Sequence, residues 1–360
     1  MNFGFLSFWT AKLNESQAEG AVANYKEIEA LDELGWDSVW VGGVPLGSNV
    51  SHPLVLASAI AARTSRVKIG TAVHLPGLKA PGEEYEKEVA KGGSTIERRG
   101  PSFDRYKYVF DYMSSADPLQ TAEQIGMVDY LSDGRFIYGA GGGTAGDEKR
   151  QEHFFEFLTV VKQALTEEEF SGFDGKYYKY PPFPAGARLM PEAVQKPHPP
   201  ILLPLDSQQG FVPMGKMGYR IAIGGGSMHN ERGDAILKED VKSYRQAWRD
   251  AGHPGEANVT VRMNLYVAPT KSEFVRNMEA GIKESNKRRV ARGLPANHAS
   301  ASDPSPDLYG TPTEVIDRIY YLKEEFGADE IMCPILLGLP RKKILETMKL
   351  FSEEVMPEFK

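Results

Sequence analysis

A glycine-rich segment, GAGGGT at Gly139–Thr144, directly follows an apolar run. Gly139 and Gly141 match the start of the dinucleotide-binding pattern G-x-G-x-x-G, but Thr144 stands where the third glycine belongs. That pattern also requires a helix that opens over the pyrophosphate and an acidic residue at the end of a second strand. A long helical pattern, Glu148–Leu165, follows instead. A nicotinamide-binding Rossmann dehydrogenase is therefore a distant alternative.

Two other positions could contact a small ligand. His74 follows the strand-like run RVKIGTAV, and its imidazole could donate a hydrogen bond or act as a general base. Ser207 follows the run PPILLPLD and begins a helical stretch, where its hydroxyl and backbone N–H groups could bind a phosphate. Each position has a structural alternative: a buried histidine held by a neighbour, and a helix N-cap.

The sequence indicates neither a metal-binding site nor a reactive cysteine. His, Cys, Asp and Glu do not occur at metal-ligand spacing, so we predict no required metal. The one cysteine, Cys333, lies within an apolar strand pattern that is typical of a packed thiol. A single cysteine also excludes an internal disulfide and suits a reducing compartment.

The elements that must position these residues alternate regularly between strand and helix patterns. The strand-like runs are Phe3–Phe8, Asp37–Gly43, Arg66–Val73, Arg135–Ala140, Pro199–Asp206, Tyr219–Gly226, Asn258–Pro269 and Ala328–Leu337. They are short and apolar on both faces, as buried parallel strands are. Eight strands that alternate with helices predict an α/β fold of the (β/α)8 TIM-barrel type, with residues 1–360 as a single domain. A doubly wound sheet would need two cores or an unusually wide sheet.

The barrel hypothesis gives the candidate residues a common location. Catalytic residues of such barrels lie at the carboxyl ends of the strands. His74, the glycine run and Ser207 each follow a strand of this pattern. The missing side chains after strand four would let a flat ligand approach the backbone closely.

The alternation is interrupted by a long insertion after strand 3, at residues 78–115. Its first half is charged and contains glycines, and its second half is aromatic. Loops of this length are uncommon unless they are functional or disordered. The sequence predicts either a lid over the catalytic face or an arm at a dimer interface.

The composition limits the class of protein and its partners. The 360 residues are 41% hydrophobic and 25% charged, which is typical of a globular protein with a large core. A net charge of −7 does not favour a nucleic-acid partner. The apolar start of the chain lacks a basic flank, and no apolar run is long enough to span a membrane. We therefore expect a cytoplasmic protein.

Six segments, in this order along the chain, resemble the bacterial luciferase-like flavin monooxygenase family. They are EALDELGWDSVWVGG, HPLVLASAIAARTSRVKIGTAV, DPLQTAEQIGMVDYLSDGRFIYGAGGG, FFEFLTVVKQALTEEEFSGFDGKYYKY, PPILL and YGTPTEVIDRIYYLKEEFGADEIM. The resemblance implies a barrel that binds FMN, or in some members the deazaflavin F420. It also implies that a separate flavin reductase supplies reduced FMN, that O2 is used to oxygenate a small organic substrate, and that the protein is a homodimer.

The resemblance also assigns site residues. An unusual peptide bond and a close flavin contact are expected at the end of strand three, within Thr71–Val73. The positions that it implies for cofactor binding are Ala72, Val73, Gly139, Gly141, Arg150, Ser207 and Gly210. His74 is the candidate catalytic residue.

The segment after strand two departs from the family pattern. Family members commonly have an active-site histidine there, whereas this chain reads GGVPLGSN and has no histidine before His52. His52 precedes a proline-started helix, which favours a capping role. The alternatives are an F420-dependent dehydrogenase and a non-catalytic barrel that binds flavin.

Overall fold

Eight parallel strands close into a barrel in the computed structural model, which describes residues 1–9, 15–42, 52–76, 116–142, 148–205, 208–224, 234–291, 301, 305, 307–335 and 338–360. The barrel strands are β1 (Asn2–Ser7), β2 (Ser38–Val41), β3 (Lys68–Thr71), β4 (Phe136–Gly139), β7 (Ile201–Pro204), β8 (Arg220–Gly224), β9 (Val259–Arg262) and β12 (Glu330–Pro334). Around the barrel their order is β1, β12, β9, β8, β7, β4, β3, β2. This topology confirms the predicted TIM-barrel fold.

The described helices surround these strands. They are α1 (Gln17–Glu33), α2 (Pro53–Ala61), α3 (Pro118–Leu131), α4 (Glu148–Thr166), α5 (Phe211–Met217), α6 (Asp234–Asp250), α7 (Lys271–Ala291), α8 (Pro312–Phe326) and α9 (Arg341–Glu354). Local sequence signals set several of their ends. Ser16 and Glu19 form a capping box on α1, and Asp117 caps α3, whose first residue is a proline. None of the described helices is long and apolar enough to cross a bilayer.

The chain divides into two compact units, and the first comprises Met1–Trp40, Arg63–Lys68 and Leu202–Lys360. A buried carboxyl group, Glu330 at the start of β12, lies within it. Glu330 accepts hydrogen bonds from the Ser38 hydroxyl and from the Trp40 indole, the latter at 2.9 Å. Burial raises the pKa of Glu330, and those two hydrogen bonds oppose the shift. Catalytic residues of such barrels lie at the carboxyl ends of the strands, whereas Glu330 is at the amino end of β12. We therefore assign Glu330 a structural role.

The second unit comprises Val41–Ala62 and Ile69–Ile201. Its buried Asp129, on α3, accepts hydrogen bonds from the backbone N and side-chain Nε2 of Gln195, at 2.9 and 2.7 Å. Gln195 also donates to the carbonyl oxygen of Phe136, at 2.7 Å. These bonds tie the long connection before β7 to both α3 and the start of β4.

The predicted seventh strand is wrong in extent, because the structure divides Asn258–Pro269 into two strands. β9 ends at Arg262, and β10 (Leu265–Val267) pairs instead with β11 (Leu308–Gly310) in a separate two-stranded sheet. Asn264 lies at the break, where its backbone N and side-chain Nδ2 donate to the Asp307 carboxylate at 3.0 and 2.8 Å. This pairing with a residue distant in sequence redirects the chain.

The second unit contains a hairpin that the sequence analysis did not predict, and the predicted insertion belongs to the same part of the chain. A short hairpin, β5 (Phe173–Asp174) and β6 (Lys179–Tyr180), is present where the sequence indicated no strands. The predicted insertion, residues 78–115, lies outside the described residues. Its flanks meet, because Ala116 N donates a hydrogen bond to Pro76 O at 2.7 Å. The single-domain interpretation of residues 1–360 stays a prediction.

Candidate functional site

The carboxyl ends of β3 and β4 are joined by a side chain as well as by the backbone. The Thr71 hydroxyl donates to the carbonyl oxygen of Gly139 at 2.6 Å and accepts from its N–H at 2.9 Å. Thr71 is fully buried. One hydroxyl thus satisfies both backbone groups of a residue on the neighbouring strand, which fixes the end of β3 against β4.

Packing within the protein explains why glycine occupies position 139, at the end of β4, and position 141. A Cβ atom at Gly139 would overlap the backbone carbonyl of Thr71, and one at Gly141 would lie 2.9 Å from Val73 Cγ2. Close packing of the two strand ends therefore excludes larger residues at both positions. The cofactor-binding role expected for Gly139 and Gly141 stays a prediction beside this reason.

The segment that follows β3 is the accessible part of this region. The expected unusual peptide bond is present, because the Ala72–Val73 bond is cis. Ala72 N donates to Val41 O at 2.8 Å. Residues 72–75 are partly exposed, whereas Thr71 and Pro76 on either side are buried. The chain therefore presents four consecutive uncharged residues at the end of β3.

His74 is held by its backbone and by its ring. Its N–H donates to Gly139 O at 2.8 Å, and its carbonyl oxygen accepts from Gly141 N at 3.0 Å. Its Nδ1 lies 2.9 Å from the hydroxyl oxygen of Tyr138. Burial, with a smaller contribution from the charge of His52, lowers the pKa of His74 to about 4. At neutral pH the imidazole is consequently uncharged.

Tyr138 is the residue of this region that the sequence analysis missed. It lies on β4 with no exposed surface. Burial raises the pKa of its phenol, which keeps the hydroxyl protonated. A tyrosine within an apolar strand was a signal that could have revealed it, because a buried hydroxyl needs a partner. His52, in contrast, stands at the N-cap position of α2 but makes no side-chain capping hydrogen bond.

Arg150 lies in the first turn of α4. Burial lowers the pKa of the nearby His153, and the charge of Glu156 opposes this shift. The positive charge of Arg150 is close enough to lower the pKa of His153 further. His153 is buried and stacks on Tyr177 with 4.4 Å between ring centroids. Arg150 therefore places a positive charge on the first turn of the helix that follows β4.

The predicted phosphate-binding turn belongs to the first unit. Ser207 lies outside the described residues. Gly210 is the N-cap residue of α5, and a Cβ atom there would lie 2.8 Å from Leu205 Cδ2. The structure thus brings together Ala72, Val73, His74, Gly139 and Gly141 in the second unit, while Gly210 is part of the other unit.

Arg262 is a cationic residue that the sequence analysis did not single out. It ends β9, is partly buried, and belongs to the first unit. Burial lowers the pKa of its guanidinium, and Asp307 and Tyr309 oppose that shift. Arg262 thus places a positive charge at the carboxyl end of a barrel strand.

The remaining candidate groups are a thiol and possible metal ligands. Cys333 is fully buried in β12, which confirms the packed thiol, and burial raises the pKa of this group. In the part of the chain that the structure describes, no three His, Cys, Asp or Glu side chains are grouped to hold a metal ion.

Comparison with known families gives one match that covers most of the chain. The profile of the family described as luciferase-like monooxygenase matches residues 1–87 and 113–330. The unmatched stretch between these two segments lies within the predicted insertion, which agrees with a departure from the family at this point.

Individual proteins resemble the chain more distantly. Rv0953c, an uncharacterized protein of Mycobacterium tuberculosis, is 28% identical over 192 residues, which make up 51% of this chain and 61% of that protein. The match thus spans less than two thirds of that relative.

Among solved structures, the monooxygenase RslO1 from Streptomyces bottropensis is 21% identical, with a TM-score of 0.75 and 100% coverage of both chains. The oxygenating constituent of 3,6-diketocamphane monooxygenase from Pseudomonas putida, in complex with FMN, is 18% identical, with a TM-score of 0.71 and coverage of 99% of this chain and 98% of that one. A coenzyme F420-dependent tetrahydromethanopterin reductase from Methanopyrus kandleri is 15% identical, with a TM-score of 0.64 and coverage of 100% and 99%. At these identities the likeness concerns the fold.

Proposed function

We propose, from the premise that this chain belongs to the luciferase-like monooxygenase family, that it is an oxidoreductase that uses reduced FMN and O2 to oxygenate a small organic substrate. The observation that carries this proposal is the accessible segment Ala72–Leu75 beside the glycines of β4. It combines apolar side chains with one neutral imidazole. Such a surface fits a flat, largely apolar ring whose edge carries hydrogen-bonding atoms.

The chain's own residues would bind and orient the cofactor. Ala72, Val73, Gly139 and Gly141 would lie against the ring, and His74 would hydrogen-bond to the ring or to the substrate. Arg150 would attract the phosphate, with Ser207 and Gly210 as the positions that the family resemblance adds. When bound, reduced FMN supplies the electrons with which O2 is activated. The protein's part is to hold the reactants in place and exclude water.

The proposal includes partners and a location. Because the chain would receive FMN already reduced, a separate flavin reductase is its expected partner. A homodimer and a cytoplasmic location complete the proposal.

Two alternatives remain distinct from an FMN monooxygenase. F420 presents a similar flat ring, and a solved structure with the same fold is an F420-dependent reductase. A non-catalytic flavin-binding barrel is favoured by the segment after β2, which lacks histidine before His52.

Cofactor identification separates these possibilities. The purified protein is titrated with FMN, reduced FMN and F420, and binding is followed by ring fluorescence, while mass spectrometry identifies any co-purified cofactor. An NADH-driven flavin reductase then supplies reduced FMN, and oxygen uptake is recorded. We expect binding of FMN and flavin-dependent oxygen uptake above the reductase background. Binding of F420 alone would refute the FMN proposal, and flavin binding without added uptake would favour the non-catalytic barrel.

A further inference from the structure

We infer that Tyr138 is a positioning residue that fixes the His74 imidazole in the tautomer protonated at Nε2, so that His74 presents an N–H donor to its ligand. The inference deepens the proposed function, on which it rests for the identity of that ligand. It begins from one contact, the 2.9 Å between Tyr138 Oη and His74 Nδ1.

The buried hydroxyl decides which group donates. Tyr138 has no exposed surface, and within the described residues its hydroxyl makes a hydrogen bond to His74 alone. If Nδ1–H donated to the phenol oxygen, the phenol proton would be buried without an acceptor among these residues, which is unfavourable. If the phenol donates to Nδ1, both groups are satisfied. A neutral imidazole that accepts at Nδ1 carries its proton at Nε2.

The rest of the residue keeps this arrangement in place. The backbone N–H of His74 donates to Gly139, the last residue of β4, and its carbonyl accepts from Gly141, two residues later. His74 and Ala140 also form a parallel bridge between the two strand ends. Histidine and tyrosine thus stand on adjacent, mutually bonded segments, so backbone hydrogen bonds keep the two residues next to each other.

The free side of the ring defines the ligand chemistry. Within the described residues Nε2 has no hydrogen-bond partner, and His74 is partly exposed. Among the residues that the structure describes, His52 is the titratable group whose charge acts on the ring, and it disfavours a positive imidazole. With Nδ1 occupied and Nε2 protonated, His74 cannot accept a proton at neutral pH. The fitting ligand group is a hydrogen-bond acceptor, such as a carbonyl oxygen or an imine nitrogen, and this assignment excludes the general-base role considered for His74.

The tautomer is measured directly in the protein without cofactor. The protein is labelled with 15N-histidine, and two-bond 15N–1H correlation spectra identify which ring nitrogen carries the proton. The His74 signals are assigned as those missing from His74→Gln. We expect a pyridine-type Nδ1 and a pyrrole-type Nε2 at pH 7. A pyrrole-type Nδ1 would overturn the inference, and this measurement needs no variant of Tyr138.

Tyr138→Phe then tests the cause. Loss of the hydroxyl should give a mixture of the two tautomers, because neither ring nitrogen then has a fixed hydrogen-bond partner among the described residues. Tyr244→Phe is the matched control, since Tyr244 is also fully buried and its hydroxyl bonds to the backbone oxygens of Tyr219 and Asn258. It should leave the His74 spectrum unchanged. An unchanged spectrum in Tyr138→Phe would show that Tyr138 does not set the tautomer.

The test also separates this inference from the proposed function. Because the spectra are recorded without cofactor, an Nε2–H tautomer that depends on Tyr138 upholds the positioning role even if neither FMN nor F420 binds. The failure of both FMN and F420 to bind would refute the proposed function only. Flavin binding together with an Nδ1–H tautomer would refute the positioning role and leave the proposed function standing.

Discussion

Thr71 and Gly139 are joined by two hydrogen bonds that share one side-chain oxygen, at 2.6 and 2.9 Å. The first ends on the carbonyl oxygen of Gly139 and the second comes from its N–H. The bonded groups lie at the strand ends that carry the candidate site. This pair therefore links the stability of the β3–β4 edge to the position of His74, whose N–H also donates to Gly139 O.

Replacing Thr71 with valine should destabilise the protein by about 2–3 kcal/mol, because a buried backbone N–H loses its acceptor while side-chain volume is kept. Urea unfolding measures the change. Thr260→Val is the matched control, since Thr260 is also fully buried but, among the described residues, its hydroxyl makes a single hydrogen bond, a long one of 3.3 Å to Asn258 Oδ1. Equal losses in both variants would contradict a special role of Thr71.

Gly139→Ala should lower stability more than a typical glycine substitution, because the new Cβ would overlap the Thr71 carbonyl and force β3 and β4 apart. Thermal unfolding is the measurement. In Gly186→Ala the backbone has φ 78° and no atom lies within 4 Å of the new Cβ. That control measures the cost of a side chain at a positive φ, about 1–2 kcal/mol, in the absence of a steric overlap. A Gly139 variant that is no less stable than the Gly186 variant would show that the strands separate easily.

The neutral His74 should make stability depend on pH. Its pKa is lowered from 6.5 to about 4 in the folded protein, so between these values the unfolded chain binds a proton that the folded chain does not. The contribution of His74 is therefore complete above pH 6.5 and is lost as the pH falls toward 4. The slope is at most about 1.4 kcal/mol per pH unit.

The pH effect is isolated by the difference between wild type and His74→Gln, because other groups titrate equally in both. Unfolding free energies are measured in urea from pH 4.5 to 7.5. We expect the difference to shift against the wild type as the pH is lowered. A difference that is constant over this range would mean that His74 ionises alike in the folded and unfolded states.

Shortening the insertion should leave the barrel folded. The hydrogen bond from Ala116 N to Pro76 O shows that the barrel residues on either side of the insertion are adjacent, so a shorter connection between them should not strain the barrel. In the variant, residues 83–105 are replaced by a Gly/Ser linker. Circular dichroism and thermal unfolding should resemble those of the full chain, and an insoluble variant would contradict this expectation.

The same variant distinguishes the two hypotheses drawn from the sequence of the insertion. A lid predicts that the flavin-loaded protein releases hydrogen peroxide faster, because water reaches the reacting ring. A dimer arm predicts a halved mass in light scattering with unchanged peroxide release. Each hypothesis is refuted by the result expected for the other.

The sequence by itself determined the order and type of the elements that build the barrel. Buried parallel strands are apolar on both faces, and proline and capping residues mark the starts of helices such as α2, α3 and α8, so these signals are local. Gly139, Gly141 and His74 could be located at strand ends because a closed parallel barrel has its catalytic face there. The same rule predicted the region of the site but not the hydrogen-bond partners of its residues.

Only the tertiary structure decided which groups meet. Tyr138 and His74 are 64 positions apart, and Asn264 and Asp307 are 43 apart. The first pair fixes the candidate donor, and the second ends β9 where the local pattern continued. Hydrogen bonds between strands depend on register and on side-chain direction, which the periodicity of a single strand does not encode. The fold followed from local patterns, whereas the chemistry of His74 followed from a neighbouring strand.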